Sequence, residues 1–523
     1  MRNSHFVHAI RSFALLGLMS WLVACAVNPV TGQRELGFIS EREEIQLGQQ
    51  HYRPMQQSEG GQFKVDPELS AYVNEVGQRL AAEADRDLPY EFVVLNNSVP
   101  NAWALPGGKI AINRGLLTEM GSEAELAAVL GHEIVHSAAR HGAQNMERGM
   151  LLQGALLATA IAASSSEYAG AIVGGASVGA QLISQRYGRE AEREADYYGT
   201  RYMARAGYDP QAAVSLQETF VRLSNAREPG WLEGLFSSHP PSSERVQNNQ
   251  ALVAELRRDG FSGGELGEER YRERLAFLTE NSEAYAAFDE AHSLARQDRM
   301  DDAMREADRA VRLLPEEARF HGLRGDIFLN RSAYQEAVES YDNALMRDSE
   351  FFNYYLGRGL AYSRMGNRAR AQEDLQASVN LLPTAMAMNE LGNLSLAQND
   401  RSQAKQYFQQ AAAAPGSIGE QATAAFVRLD MADNPGEYLR SRLTVGDQGR
   451  LLLQVVNESP VAIRSARIDV EVAVGGRTAT RQLSLSSLAS GQSRVLDTGV
   501  NLPAEAELSE VRGSTRVRDV RVD

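Results

Sequence analysis

The sequence predicts a multidomain chain: an α+β domain first, an all-α repeat array next, and a small all-β domain last. Three observations carry this. Residues 25–265 mix helical periodicity with short extended runs around a histidine-rich helix. Across 280–416, small residues recur about every 34 positions. Past Pro435 the apolar residues alternate or run in short blocks broken by turn residues. A length of 523 residues calls for two to four domains. Hydrophobic content of 43% and charged content of 23% fit globular protein rather than disorder or a multi-span membrane protein. The net charge of −15, with no basic patch, excludes nucleic acid as a partner.

Residues 1–24, MRNSHFVHAIRSFALLGLMSWLVA, carry Arg2 and Arg11 ahead of an apolar run too short to span a bilayer comfortably. They end Leu22-Val23-Ala24 before Cys25, which resembles the lipobox of bacterial lipoproteins. The resemblance implies a signal peptide over 1–24, cleavage before Cys25 and a lipid anchor on that residue. Ala26, rather than aspartate, then leans towards the inner leaflet of the outer membrane. Cys25 is the single cysteine, so neither a disulfide framework nor thiol catalysis is available to the mature protein.

Residues 123–144 read as one helix. Ser122 is a plausible N-cap, with Glu125 placed to complete a capping box. Leu126, Val129, Leu130, Ile134 and Val135 form its buried stripe. Three histidines follow in LGHEIVHSAARHGAQ. His132 and His136 are one helical turn apart and share a face, so both can bind one zinc ion, with Glu133 beside them as a base. Zinc lowers the pKa of a bound water to roughly 7. His141 is turned off that face and reads as structural or as a support to the ligands.

A catalytic zinc needs a third protein ligand. Glu190, Glu192, Glu194 and Asp196 crowd one later helix. Glu192 with Asp196, or Glu190 with Glu194, would present an i, i+4 pair, one to ligate and one to hold an imidazole N–H. Spacing does not choose between the pairs. Residues 150–183 are apolar but interrupted at Ser164–Glu167, which prevents a membrane span. They read as a helical hairpin near the site, a candidate lid.

In the repeat region, Ala303, Ala337 and Ala371 step by 34 and Ala404 follows at 33; Gly325, Gly359 and Gly392 keep the same steps. This resembles the tetratricopeptide repeat, a helix-turn-helix unit whose helices cross at small residues. Four units starting near residues 283, 317, 351 and 385 would stack into a solenoid with a concave face. Residues 437–523 hold LLLQVV, ARIDVEVAV and RQLSLSSL, and read as a small antiparallel, sandwich-like β domain of no legible function.

Taken together, the motifs resemble the M48 family of zinc metallopeptidases, in its periplasmic lipoprotein branch with tetratricopeptide repeats. The matching residues are Asn28–Gly32, Asn101–Gly108 ahead of Ile110–Leu117, the H-E-I-V-H of 132–136, Glu192 and Asp196, Ala206–Pro210, Ser238-His239-Pro240 and Arg245. The resemblance implies a zincin-like (gluzincin) domain over 25–265. It implies His132, His136 and Glu192 as ligands of one Zn2+ per chain, Glu133 as general base and Asp196 as the support behind a ligand. His239 and Arg245 are the candidate oxyanion donors. His239 admits two further readings: a loop histidine beside proline, or a fourth ligand that expels the catalytic water and keeps the enzyme latent.

The family's substrate strand places Asn101, Ala102 and Trp103 along an extended substrate, with loose specificity for unfolded polypeptide. The expected function is a periplasmic zinc endopeptidase that degrades misfolded or mis-assembled envelope and outer-membrane proteins. The repeats would hold clients or the outer-membrane assembly machinery. The alternative is a repeat-based chaperone or assembly scaffold with latent or minor protease activity.

Overall fold

The computed structural model describes residues 25–150, 187–226, 239–261, 263–474, 477–502 and 512–522. The expected signal peptide, and all but the first residue of the expected hairpin over 150–183, lie outside them. The protein divides into two compact units, Met1–Ala361 and Tyr362–Asp523.

The first unit opens with a short antiparallel ribbon, β1 (Cys25–Val27) and β2 (Arg34–Leu36). Asn28 shapes its turn, its side-chain oxygen accepting from the Val30 and Thr31 amides at 2.9 and 3.2 Å. Helix α1 (Glu41–Ser58) starts at Ser40, whose hydroxyl and Glu43 make a reciprocal capping box. Helix α2 (Pro67–Ala81) starts with Asp66 as cap and proline in its first turn.

A three-stranded sheet follows, from β3 (Glu91–Leu95), β4 (Ala102–Leu105) and β5 (Lys109–Asn113), in the order β3-β5-β4. Strand β5 runs parallel to β3 and antiparallel to β4, so β4 is an edge strand. Pro106-Gly107-Gly108 joins β4 to β5. Gly107 and Gly108 have φ of 78° and 83°, and a Cβ on Gly107 would lie 2.6 Å from the Ile45 Cα.

Helix α3 (Glu123–Ala138) packs on this sheet, and every residue but Glu125 is buried. Ser122 caps it, accepting from the Glu125 amide at 3.1 Å, while the Glu125 carboxylate takes the Gly121 amide at 2.6 Å instead of closing a capping box. The helix is also shorter than the sequence predicts. It stops at Ala138, Arg140 turns left-handed with φ 65°, and residues 141–150 are helical again. The Arg140 side chain holds that turn: it ion-pairs with buried Glu44 and donates to the Ile39 carbonyl at 2.6 Å. No local signal in Ala-Ala-Arg-His marks a break made by contacts that distant in sequence.

Three more helices complete the α+β part: α4 (Arg189–Arg205), α5 (Gln211–Ala226) and α6 (Ser243–Arg258). Leu126, Leu130, Ile134 and Val135 share one core with Leu69 and Val73 of α2, Val94, Ile110 and Ile112 of the sheet, and Ala195 and Tyr202 of α4. Helices α3 and α4 touch at paired glycines. A Cβ on Gly131 would lie 2.9 Å from the Gly199 carbonyl oxygen, and one on Gly199 would lie 2.8 Å from the His132 nitrogen.

Helices α7 (Ser282–Arg296), α8 (Met300–Leu313), α9 (Ala318–Asn330) and α10 (Tyr334–Arg347) form two repeat pairs, and α11 (Phe352–Arg364) opens a third. The periodic small residues sit at helix crossings. Ala303 and Ala337 are fully buried, and a Cβ on Gly325 would strike the Tyr341 ring at 2.6 Å; Gly357, outside the periodic set, meets the same ring at 2.1 Å. The repeats bond to the α+β part within this unit. Lys64 pairs with Asp348 at 2.9 Å, Gln57 donates to the Glu350 carbonyl at 2.8 Å, and Asn96 donates to Glu317 at 3.0 Å.

The second unit continues the repeats with α12 (Arg368–Leu381), α13 (Ala385–Ala397) and α14 (Arg401–Ala411). A further helix, α15 (Ser417–Asp430), occupies a stretch that the repeat spacing leaves unassigned. Then come β6 (Leu439–Val445), β7 (Arg450–Asn457), β8 (Ile463–Val474), β9 (Arg477–Leu485), β10 (Ser493–Asn501) and β11 (Arg512–Val522). They form two antiparallel sheets, β10-β7-β6 and β11-β8-β9. Leu451, Leu453 and Val455 of β7 share a core with Ile468, Val470 and Val472 of β8, joined by Val427 and Met431 at the end of α15. No helix among the described residues is long and apolar enough to cross a membrane.

Candidate metal centre

The site is built where α3 crosses α4. Because glycines meet at the crossing, the backbones approach closely, and Glu192 and Asp196 on α4 come within reach of His132 and His136 on α3. The segment just before α6 adds His239. One donor atom from each of His132, His136, Glu192 and His239 lies within 4.8 Å of the others, and all four residues are buried.

The spacing of these donors fits a metal. His132 Nε2 is 3.0 Å from His136 Nε2 and 3.3 Å from His239 Nδ1. Glu192 lies 2.9 Å from His239 Nδ1, 3.4 Å from His136 Nε2 and 3.6 Å from His132 Nε2. Tetrahedral ligands at zinc bond lengths stand roughly 3.3 Å apart. The outward nitrogens of the first two imidazoles are already occupied. His132 Nδ1 meets Asp196 at 3.0 Å, and His136 Nδ1 meets His141 Nδ1 at 2.9 Å. That leaves both Nε2 atoms aimed at one point, as metal-binding histidines require.

Arg245, read from the sequence as an oxyanion donor, directs its guanidinium at carboxylates. It grips Asp196 with two bonds of 2.7 Å and reaches Glu192 at 3.1 Å. Burial would push Asp196 up, but the Arg245 charge outweighs it and holds that carboxyl below its usual range. Burial likewise opposes ionisation of Glu192, and the surrounding His239 and His132 override it, keeping Glu192 well below the usual carboxylate range. His136 is pushed well down by burial.

Glu133 is buried beside the donors, 3.6 Å from His239 Nε2, and burial raises its pKa. One oxygen of Glu133 is buried without a hydrogen-bond partner, and the Glu192 oxygen that faces Arg245 at 3.1 Å has that ion pair in place of a hydrogen bond. An orphaned buried oxygen such as that of Glu133 is costly unless a ligand completes the site. Chelation should therefore lower the unfolding temperature by several degrees, and added zinc should restore it. The stabilisation expected is about 4 kcal/mol at a thousandfold excess of metal over Kd; an unchanged melting curve with and without chelator would contradict a site of this kind.

Two supports escaped the sequence reading. Tyr187 stacks on the His136 ring, centroids 3.9 Å apart and planes 21° from parallel. Glu194 meets His141 Nε2 at 3.2 Å, so an acid and a histidine stand in line behind His136. Gln-Arg-Tyr-Gly has no local pattern that singles out Tyr187, and Glu194 was legible only as one of four acids. Asn101, Ala102 and Trp103 are buried at the start of the edge strand β4. The Asn101 side-chain oxygen and the Trp103 ring nitrogen have no partner among the described residues.

The close crossing is itself testable. Gly199→Leu should spread α3 from α4 and weaken zinc binding by roughly tenfold or more, since ligand supports of this kind carry about that much. Competition with a chromogenic chelator would read it. Zinc affinity equal to the parent's would show that the glycine contact does not position Glu192.

Comparison with known proteins agrees with this geometry. Residues 67–253 match the Peptidase family M48, and residues 288–350 match the Tetratricopeptide repeat. The beta-barrel assembly-enhancing protease of Escherichia coli (strain K12) is 29% identical over 225 residues, which cover 42% of this chain and 45% of that one. The protein of the same name from Yersinia pestis is 27% identical over 341 residues, covering 60% and 68%. The mitochondrial metalloendopeptidase OMA1 of Schizosaccharomyces pombe is 30% identical over 231 residues, covering 43% and 66%. The match thus spans less than half the length of the Escherichia coli relative. The protein carries an M48 peptidase domain, a zinc metallopeptidase family, together with tetratricopeptide repeats, and its buried His/Glu cluster fits that metal.

Proposed function

We propose that this protein, an M48 peptidase domain joined to tetratricopeptide repeats, is a zinc endopeptidase of the bacterial periplasm that degrades misfolded or mis-assembled outer-membrane proteins. A lipid on Cys25 holds it at the inner leaflet of the outer membrane, and the repeats hold clients or the assembly machinery. The observation that carries the reading is Glu133 standing beside the converging donors of His132, His136 and Glu192. A glutamate from a second helix among the donors supports the gluzincin reading. The names of the bacterial relatives, which refer to β-barrel assembly, support the choice of client.

When bound, zinc supplies the Lewis acidity that activates water and the scissile carbonyl. The protein's own residues do the rest. Glu133 takes a proton from the attacking water and delivers it to the leaving amine; its raised pKa suits a group that must both accept and release. Asp196 fixes the His132 ring, and Arg245 fixes Asp196 and Glu192. Strand β4 is an edge strand of the described sheet, which supports an extended client pairing through its backbone along Asn101–Trp103 once these buried residues are uncovered.

The test is a gel assay with the soluble form beginning at Ala26, zinc and an outer-membrane β-barrel protein. The unfolded client should be cut and the folded barrel should resist. Equal resistance of both would leave a scaffold or a latent enzyme, and repeating the assay with His239→Ala would separate those two. For the anchor, Cys25→Ala should move the protein from the membrane fraction to the soluble periplasm.

A second reading rests on His239. Its Nδ1 stands among the donors and its Nε2 faces Glu133, so the ring fills the space between the base and the metal position. An enzyme in this state is latent, and it turns over only when the 239 segment moves aside.

A further inference from the structure

His136 presents Nε2 to the other donors and Nδ1 to His141. Which nitrogen of a neutral imidazole carries the proton is set by what the other one meets. A ring that ligates through Nε2 must keep its proton on Nδ1 and find an acceptor for it there. For His132 the acceptor is a carboxylate, Asp196, at 3.0 Å. For His136 it is a second imidazole, a group that can donate as readily as accept. A donor at that place would drive the His136 proton onto Nε2, where it would point at the metal position and block it.

The next contact removes the ambiguity. His141 Nε2 meets the Glu194 carboxylate at 3.2 Å. A carboxylate only accepts, so His141 Nε2 is the donor. The lone pair of His141 is then on Nδ1, which accepts from His136 Nδ1 at 2.9 Å. His136 in turn keeps its lone pair on Nε2, 3.0 Å from His132 Nε2 and 3.4 Å from Glu192.

The backbone is shaped to bring these groups into line. In an unbroken helix the fifth residue past His136 would be turned about 140° away from it. The left-handed turn at Arg140, with φ 65°, returns His141 to the His136 ring, centroids 4.9 Å apart and planes 70° from parallel. Glu44 holds that turn through the Arg140 side chain. Tyr187 stacks on His136 and fixes the plane of its ring. On α4, Glu194 lies two residues from both Glu192 and Asp196, about 200° round the helix from either and off the face that carries them. It meets the site only through His141, which is buried.

We propose that Glu194, acting through His141, fixes the tautomer of His136 and so aims a lone pair at the zinc position before the metal arrives. Both are positioning residues, since neither touches metal or substrate. The left-handed break at Arg140 is then part of the metal site, because it is what places His141 behind His136. The inference deepens the zinc-peptidase reading and rests on it.

The readout is the zinc affinity of the full-length protein, by competition with a chromogenic chelator, with melting curves measured alongside. Glu194→Lys puts a donor where the acceptor stood and reverses the relay; zinc should bind at least about tenfold more weakly. Glu190→Lys makes the same change of charge at an exposed position of α4 and should cost less than about threefold. His141→Asn sets a side-chain oxygen about where the ring Nδ1 stood, so the acceptor survives and affinity should stay within about threefold of the parent. His141→Leu offers no acceptor and should cost at least about tenfold. Packing alone would rank these two the other way, since leucine suits a buried position better than asparagine. Added to His141→Asn, Glu194→Lys should cost no more than Glu190→Lys does, because its effect travels through the ring. The Glu194 side chain is 27% exposed, so that comparison stands even where a His141 variant fails to fold. Equal affinity of Glu194→Lys and Glu190→Lys, zinc bound as tightly by His141→Leu as by His141→Asn, or an undiminished loss from Glu194→Lys on the His141→Asn background would overturn the relay and leave the zinc site standing. A parent that takes up no zinc would overturn the site, and the relay with it.

Discussion

Glu133→Gln is expected to stop proteolysis while leaving zinc content and fold unchanged. The substitution keeps the shape of a side chain that is 2% exposed. Glu133 is not one of the four converging donors, so the metal should still bind one per chain. Among the described residues it removes the one carboxylate beside the donors that is neither a donor itself nor engaged with Arg245. A general base of this kind is worth about 10²–10⁴ in rate. Stability should not fall, because the wild-type carboxylate is buried with one oxygen unpartnered and its raised pKa shows that ionisation there is disfavoured. Cleavage of an unfolded client on a gel, with zinc measured by atomic absorption, checks both halves. Equal cleavage by parent and variant would point to a contaminant or remove Glu133 from the mechanism.

His239→Ala is the second large effect, and its sign separates the readings of that residue. If the ring holds the site shut, its removal should raise activity; a site closed nine-tenths of the time would gain roughly tenfold. If His239 were an oxyanion donor, activity should instead fall by about 10²–10³. The expected result is a rise. His239 Nδ1 lies 2.9 Å from Glu192 and 3.3 Å from His132 Nε2, inside the donor set rather than across the cleft from it. Zinc should bind more weakly in the variant, since one of four donors is gone. A fall in activity with unchanged zinc affinity would refute the latch.

The metal helix was legible because its chemistry is local. His132 and His136 one turn apart share a face in any α-helix, and Glu133 comes with them. The repeats were legible for the same reason: Ala303, Ala337, Gly325 and Gly392 recur because each crossing of two helices excludes a larger side chain, as the Tyr341 and Phe408 rings show. The alternating core of β7 and β8 is likewise a property of any strand with one buried face.

The break at Arg140 could not be read in this way. It depends on Glu44 and Ile39, about a hundred residues earlier in the sequence, gripping the Arg140 side chain. The choice of Glu192 and Asp196 over Glu190 and Glu194 was open to spacing alone. The family resemblance chose Glu192 and Asp196, and the glycine-to-glycine crossing of α3 and α4 supplies the physical reason, since it turns that face of an acidic helix towards His132. The stacking of Tyr187 on His136, the direction of Arg245 towards Asp196 and Glu192, and the place of His239 among the donors are all contacts between segments far apart in sequence. By itself, the amino-acid sequence of this protein determined which elements form and which residues can do chemistry, because periodicity and residue type act within a turn or a strand. Only the tertiary structure decided which of those residues meet, because that depends on how closely two helices approach and what lies between them.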